Sequence, residues 1–199
     1  MSMICMYRVL TADEARRARS DEDYLMSLTA PEVDAVSMEM ARKAMARMPA
    51  GIRTLLSLSG ARMPKLDGEP AESGGGPVLD IHKSWHGLHW LLCQQASDGP
   101  EPLKHAVLGG QEIGEDLGYG PARLVDAATV RGVADALANI SHDMLEQRYN
   151  PKAMAAAQIY SFDPADTDWR DDFLDAFDRV KQLFTDAASR GHSVLIWLT

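Results

Sequence analysis

The stretch KSWHGLHWLL, residues 83–92, is rich in residue types that bind ligands and take part in catalysis. On a helix, its first tryptophan and its leucines share an arc of about 120°, the width of a core-facing stripe. His86, His89 and Cys93 share a neighbouring arc of about 60°, at spacings of three and four residues. The stretch therefore predicts a helix with one core face and a second face of unusual chemistry.

Imidazole and thiolate groups at this spacing can hold a transition metal ion. However, the stretch matches no complete zinc-binding pattern, and Gly87 weakens the helix. His82 precedes the helix, so we do not count it as a ligand. We therefore favour no metal, with His86 and His89 hydrogen-bonded at the edge of the core and Cys93 an inert buried thiol.

A second unusual stretch is GGQEIGEDLGYGP, residues 109–121, whose glycines and proline predict a backbone of tight turns. Glu112, Glu115 and Asp116 lie close together in it. Neighbouring carboxylates need water, a basic partner, a cation or a raised pKa, and Arg123 is the nearest counter-charge. The stretch is not a phosphate cradle, because its charge has the wrong sign and it matches no phosphate-binding glycine pattern.

We expect these two stretches to face each other across one cleft. The histidines can supply partners for the carboxylates, the glycines permit close approach, and the tryptophan rings can form a wall. A histidine beside a carboxylate should then have a raised pKa. The predicted cleft comprises Lys83, Ser84, Trp85, His86, His89, Glu112, Glu115, Asp116, Tyr119 and Arg123.

Five apolar stretches predict the strands that would position this cleft. They are MICMYRVL, PVLDIHK, LKHAVLGG, ARLV and the carboxy-terminal HSVLIWLT. The unbroken apolar run from Val194 to Leu198 is typical of a strand covered on both faces. The strand over HAVLGG would link the histidine-bearing helix to the acidic turn.

Capping residues and apolar periodicity predict the helices. The candidate N-caps are Thr11, Ser20, Ser84, Asp126, Ser141 and Asn150, the last followed by a first-turn proline. Ser20 and Asp23 are spaced like a capping box. A further helix begins near Pro31, and the longest runs from about Asp168 to Ala188 and ends near Gly191.

Strands and helices that do not strictly alternate indicate an α+β fold, with a small central mixed sheet flanked by helices. A chain of 199 residues is predicted to form a single domain. Residues from about 63 to 77 are rich in proline, glycine, glutamate and serine, which predicts a flexible insertion.

Composition narrows the function classes. The formal net charge of −9 argues against nucleic acid as a partner, because phosphate binding needs clustered basic residues. No segment approaches the roughly 20 apolar residues of a membrane span. The amino terminus lacks the pattern of a signal peptide, so we expect a cytoplasmic protein in which Cys5 and Cys93 are free thiols.

Neither GxSxG, HExxH nor a comparable catalytic signature occurs in the chain. We therefore favour a non-catalytic binding or interaction protein whose partner is an unknown small molecule or protein. The alternative is a hydrolase-like enzyme, possibly metal-assisted, that uses the same cleft. His86 or His89 would then be a general base or metal ligand, and Glu112, Glu115 or Asp116 an acid or cation ligand.

Three motifs, LDIHKSWHGLHWLL, AVLGGQEIGEDLGYGPARLV and SVLIWL, resemble the YfbM-like family of small bacterial proteins, as does the opening MSMICMYRVL. The resemblance covers nearly the whole chain except roughly residues 50–77, which look like an insertion. It implies a soluble bacterial α+β protein with a fold of its own type, and it implies no particular reaction. The family pattern has an acidic residue where this chain has His82, so the resemblance gives His82 no role.

Overall fold

The computed structural model of the chain describes residues 2–29, 76–165 and 169–199. The predicted helix that begins near Pro31 lies outside the described residues. So does the predicted insertion up to residue 75, which stays a prediction.

The described residues form five strands and seven α-helices. The strands are β1 (Cys5–Leu10), β2 (Val78–Asp80), β3 (Gln111–Asp116), β4 (Pro121–Val125) and β5 (Ser193–Leu198). The helices are α1 (Ala12–Ser20), α2 (Glu22–Thr29), α3 (Trp85–Cys93), α4 (Ala127–Ala138), α5 (His142–Arg148), α6 (Pro151–Ala156) and α7 (Trp169–Arg190). Two 3₁₀ helices, His82–Ser84 and Leu103–Ala106, precede α3 and β3 respectively.

The strands form one sheet in the order β2-β1-β5-β4-β3. This architecture confirms the predicted α+β class. Every described pair of strands is antiparallel, so the expectation of a mixed sheet was wrong. The direction of pairing depends on contacts between distant parts of the chain, such as Tyr7 with Ile196, which local sequence patterns do not specify.

Helices cover both faces of the sheet. On one face, α1 and α2 pack on a cluster that includes Leu10, Leu195 and Trp197. On the other face, α3, α4 and α7 pack on a cluster that includes Tyr7 and Ile196. Central strand β5 is buried along its whole length, as its unbroken apolar run predicted. Burial on both faces explains why β5 has no alternation of apolar and polar residues.

Most predicted helix ends are confirmed. The side chains of Thr11, Asp126, Ser141 and Asn150 cap α1, α4, α5 and α6, and Thr11 forms a full capping box with Glu14. Two predicted caps were wrong. Asp21 rather than Ser20 accepts the main-chain N–H of Tyr24 at 2.9 Å. Ser84 makes no cap hydrogen bond, because a 3₁₀ turn already continues into α3.

Helix α7 follows its predicted pattern. Its buried residues are Phe173, Ala176, Phe177, Val180, Phe184 and Ala187. The helix ends at Arg190 and is followed by Gly191, whose φ of +67° is the left-handed conformation that favours glycine at this position. In the described parts of the chain, none of the helices combines the length and apolar character needed to cross a bilayer.

Two predicted elements beside the expected cleft were wrong. LKHAVLGG contains a 3₁₀ helix rather than a strand, and its Ala106 carbonyl accepts a hydrogen bond from the Tyr7 hydroxyl at 3.0 Å. The acidic stretch forms strand β3 rather than a turn, and only residues 117–120 turn back into β4. Glycine content therefore mispredicted the backbone, because β3 accommodates Gly114 at a register shift with φ of +71°.

Candidate functional site

Helix α3 has the core face that its sequence predicts. Trp85, Leu88, Leu91 and Leu92 are all buried. Gly87 is buried as well, and a β-carbon added there would lie 2.1 Å from the Cζ atom of Phe173. The glycine therefore has a packing role, because it lets α7 approach α3 more closely than any side chain would allow.

His86 connects α3 to two later segments of the chain. Its Nδ1 accepts the main-chain N–H of Tyr160 at 2.8 Å, so the ring proton resides on Nε2. Nε2 then donates to the carbonyl oxygen of Ala96 at 2.7 Å. The ring also stacks on Trp85, with centroids 4.7 Å apart. Burial lowers the pKa of His86, so the imidazole is neutral at physiological pH.

His89 and Cys93 are turned towards the interior. His89 is fully buried, its Nε2 lies 2.9 Å from the carbonyl oxygen of Asp98, and burial lowers its pKa. Burial raises the pKa of the Cys93 thiol to about 11, which disfavours the thiolate that a metal would need. Among the described residues, no group of three or more His, Cys, Asp or Glu side chains is placed to hold a metal ion.

The three carboxylates of the acidic stretch lie exposed along edge strand β3. Glu112 Oε1 lies 3.4 Å from the guanidinium of Arg123, the counter-charge that the sequence indicated. Asp116 accepts the N–H groups of Gly118 and Gly120 at 2.7 and 2.8 Å, and these bonds lower its pKa. Exposure to solvent, one arginine and the turn backbone therefore stabilise the charges of these carboxylates.

The predicted pairing of histidines with carboxylates was wrong. Both nitrogens of His86 are occupied by backbone groups, and the pKa values of His86 and His89 are lowered rather than raised. Glu112 does lie on the α3 face of the sheet, because it pairs with Arg123, which in turn pairs with Ile196 of the α3-side cluster. Its carboxylate, however, lies against the Arg123 guanidinium at 3.4 Å rather than against a histidine. Tyr119, at the β3–β4 turn, does pack against the cluster on the α3 side.

A pocket of about 440 Å³ lies instead at the amino end of α3. Two predicted site residues, Lys83 and Ser84, form part of its wall. The remaining walls come from the chain just before β1 and from the first turns of α7. His82 begins the 3₁₀ helix that lines this pocket and has a φ of +50°. A 2.6 Å hydrogen bond from its N–H to the Asp80 carboxylate holds this conformation in place.

This pocket presents charges of both signs above an apolar floor. Ile4, Ile81 and Trp169 supply apolar surface. Lys83 and Asp172 have no hydrogen-bond or ion-pair partner within the described residues. A second pair of opposite charges is already matched, since Arg179 lies 3.6 Å from Asp175.

Sequence reasoning missed Trp169, Asp172 and Asp175 as pocket residues. The aspartates occupy the polar face of a long amphipathic helix, where charged residues are typical of solvated surface. No local signal distinguishes the two that border this pocket, because they come to line the same pocket as Lys83 only in the folded chain.

A second pocket, of about 750 Å³, lies between β2 and the later turns of α7. It holds none of the predicted site residues. Its apolar wall includes Val78, Leu79 and Leu183, and Arg179 borders both pockets.

Comparison with known proteins agrees with this fold. The sequence model of the family described as domain of unknown function DUF1877 matches residues 1–197. The chain belongs to this family. Its structure is similar to the crystal structure of YfbM, a protein of unknown function from Escherichia coli, with a TM-score of 0.62 and 16% sequence identity. The match covers 98% of this chain and 99% of YfbM, so the two share the YfbM-like fold. A search of curated proteins finds no match.

Proposed function

We propose that this YfbM-like protein is a non-catalytic binding protein whose ligand is a small zwitterion, held in the pocket at the amino end of α3. A pocket of about 440 Å³ falls within the roughly 300–1,000 Å³ of typical ligand sites. The observation that carries the proposal is the presence of Lys83 and Asp172 in this pocket, both without a partner among the described residues. A ligand with one acidic and one amino group would satisfy both.

The state of the histidines favours binding over hydrolysis. A general base needs a nitrogen that can take a proton from a bound substrate. Both nitrogens of His86 already form backbone hydrogen bonds, and His89 is fully buried. These rings bond to backbone groups of Ala96, Asp98 and Tyr160, and the alternative hydrolase has no observation in its favour among the described residues.

The pocket also indicates the size of the expected effect. Lys83 and Asp172 are exposed, so each ion pair with a ligand would contribute about 1 kcal/mol or less. Contacts with Trp169 and the two isoleucines would add apolar burial. We therefore expect weak binding that is selective for molecules carrying both charges.

The test uses the twenty standard free amino acids as probes, each measured by thermal shift and then by calorimetry. We expect at least one to raise the melting temperature, and its decarboxylated and deaminated analogues to bind less tightly. Lys83→Gln and Asp172→Asn should each weaken binding by about fivefold, which corresponds to about 1 kcal/mol.

Lys152→Gln and Asp143→Asn are the matched controls, because both residues are exposed and neither borders the pocket. Their affinity should equal that of the parent protein. The proposal fails if no amino acid binds, or if the pocket variants and the controls bind equally well.

A further inference from the structure

Among the described strands, β2 lies at the edge of the sheet, and none of them covers its outer side. It pairs with β1 in a register that places Tyr7 opposite Leu79. The N–H of Ile81 donates to the carbonyl of Cys5 at 3.1 Å, which identifies that position as a hydrogen-bonded pair. Because hydrogen-bonded and non-hydrogen-bonded pairs alternate along an antiparallel ladder, the N–H and C=O groups of Val78 and Asp80 point away from β1.

These outward groups have no partner within the described residues. The pocket of about 750 Å³ lies along the same edge. It is lined by both Val78 and Leu79, and successive residues of a strand point to opposite faces. The pocket therefore lies beyond the edge of β2 rather than over one face of the sheet, with Leu183 of α7 as its far wall.

Within the described part of the chain, the carboxylates of this pocket are hydrogen-bonded, whereas one of its guanidinium groups is not. Glu14, Asp178 and Asp186 already accept hydrogen bonds at 2.8, 2.8 and 2.9 Å. Arg190, at the end of α7, has no partner among the described residues. The net charge of −9 is spread over the whole chain, and salt screens charges beyond about 8 Å. Arg190 is therefore the group beside this edge with which a carboxylate of an occupant can pair.

We propose that an extended peptide segment of another protein adds to the outer edge of β2, with an apolar side chain against Leu79 and Leu183 and a neighbouring carboxylate on Arg190. Main-chain groups of Val78 and Asp80 supply the affinity, as in other cases where a peptide adds a strand to a sheet edge beside a helix. This interaction goes beyond the zwitterion site proposed above and uses a different pocket, so either can fail alone.

The probes are two fluorescent hexapeptides of alternating threonine and valine, one beginning and one ending with glutamate, which allows for either strand direction. Binding is followed by fluorescence polarisation, and the contacted amides are mapped by NMR. We expect one peptide to bind, with chemical-shift changes at Val78, Asp80 and Leu183. Two methylated versions of this peptide carry N-methyl groups on either the odd-numbered or the even-numbered amides. One of the two should bind at least tenfold more weakly, because it lacks the N–H groups that face β2.

Val78→Pro removes only the outward N–H, which β1 does not use, and edge strands tolerate proline. It should reduce affinity at least tenfold, whereas Val78→Thr keeps the N–H and should bind like the parent protein. Arg190→Gln should weaken binding of the glutamate peptide but not of a glutamine analogue. Arg131→Gln, an exposed arginine remote from this pocket, should change neither.

Several results would overturn the proposal. One is that neither peptide binds with a dissociation constant below about 1 mM. Another is that the proline and threonine variants bind the peptide equally well, or that the two alternately methylated peptides bind equally well. If the proline variant does not fold, the methylated peptides alone decide between the outcomes. Shifts of the same amides on raising the protein concentration alone would mean that a second copy occupies this edge.

Discussion

Acid should destabilise this protein through the two histidines of α3. Burial lowers the pKa of both His86 and His89 in the folded state. A group whose folded pKa is depressed takes up a proton more readily in the unfolded chain, where the pKa is about 6.5. Its contribution to stability is therefore complete above pH 6.5 and is lost as the pH falls through the folded pKa.

The magnitude follows from the number of protons involved. While a histidine stays neutral in the fold and is protonated in the unfolded chain, stability falls by about 1.4 kcal/mol per pH unit. Two such histidines give a limiting slope of about 2.7 kcal/mol per pH unit. Against a total stability of about 5–15 kcal/mol, this loss is readily measured.

Urea unfolding at intervals between pH 8 and pH 5 would measure this slope. We expect a nearly flat free energy of unfolding from pH 8 to 7.5 and a steep fall below 6.5. In His86→Gln the amide nitrogen can replace Nε2 at the Ala96 carbonyl, but the N–H of Tyr160 loses its acceptor. That unpaired donor should cost about 1–3 kcal/mol at pH 7.5.

In the same variant the free energy of unfolding should fall less steeply with decreasing pH, by the contribution of one histidine, because glutamine does not titrate. His86→Asn is the complementary variant, since its amide oxygen can replace Nδ1 as the acceptor while the bond to Ala96 is lost. A parent protein equally stable at pH 7.5 and 5.5, or variants with the parent's slope, would refute the reasoning.

Three further predictions concern the fold. Gly87→Ala should lower the free energy of unfolding in urea by about 1–2 kcal/mol, because its methyl group would collide with Phe173. Gly132→Ala should raise it by about 0.5–1 kcal/mol, because the nearest atom to its methyl group would be Pro102 Cβ at 3.7 Å, and equal effects of the two variants would contradict this. Asp126→Ala removes two 2.9 Å cap hydrogen bonds and should lower the free energy of unfolding by about 1 kcal/mol at pH 7. Because those bonds lower the pKa of the Asp126 carboxyl, the difference between variant and parent should vanish in acid. Deleting residues 194–199 should abolish soluble, cooperatively melting protein, since five buried side chains contribute about 7–15 kcal/mol, and an unchanged melting temperature would disprove it.

The sequence alone determined the elements whose signals are local. Thr11 and Asp126 cap the helices they were expected to cap, because a side-chain oxygen reaches an N–H only two or three residues away. The apolar stripe of α7 and the unbroken apolar run of β5 likewise record which faces are buried. The α+β class follows from such patterns, since each requires only periodicity within one segment.

Tertiary structure decided everything that depends on distant partners. His86 bonds to backbone groups 10 and 74 residues away, so its protonation state could not be deduced from the glutamates expected to face it. Strand β3 was mistaken for a turn because its pairing with β4 outweighs the preference of its glycines. Lys83 shares a pocket with Asp172 because α3 and α7 pack together, with Gly87 against Phe173, and a contact between distant segments leaves no periodic trace in the sequence.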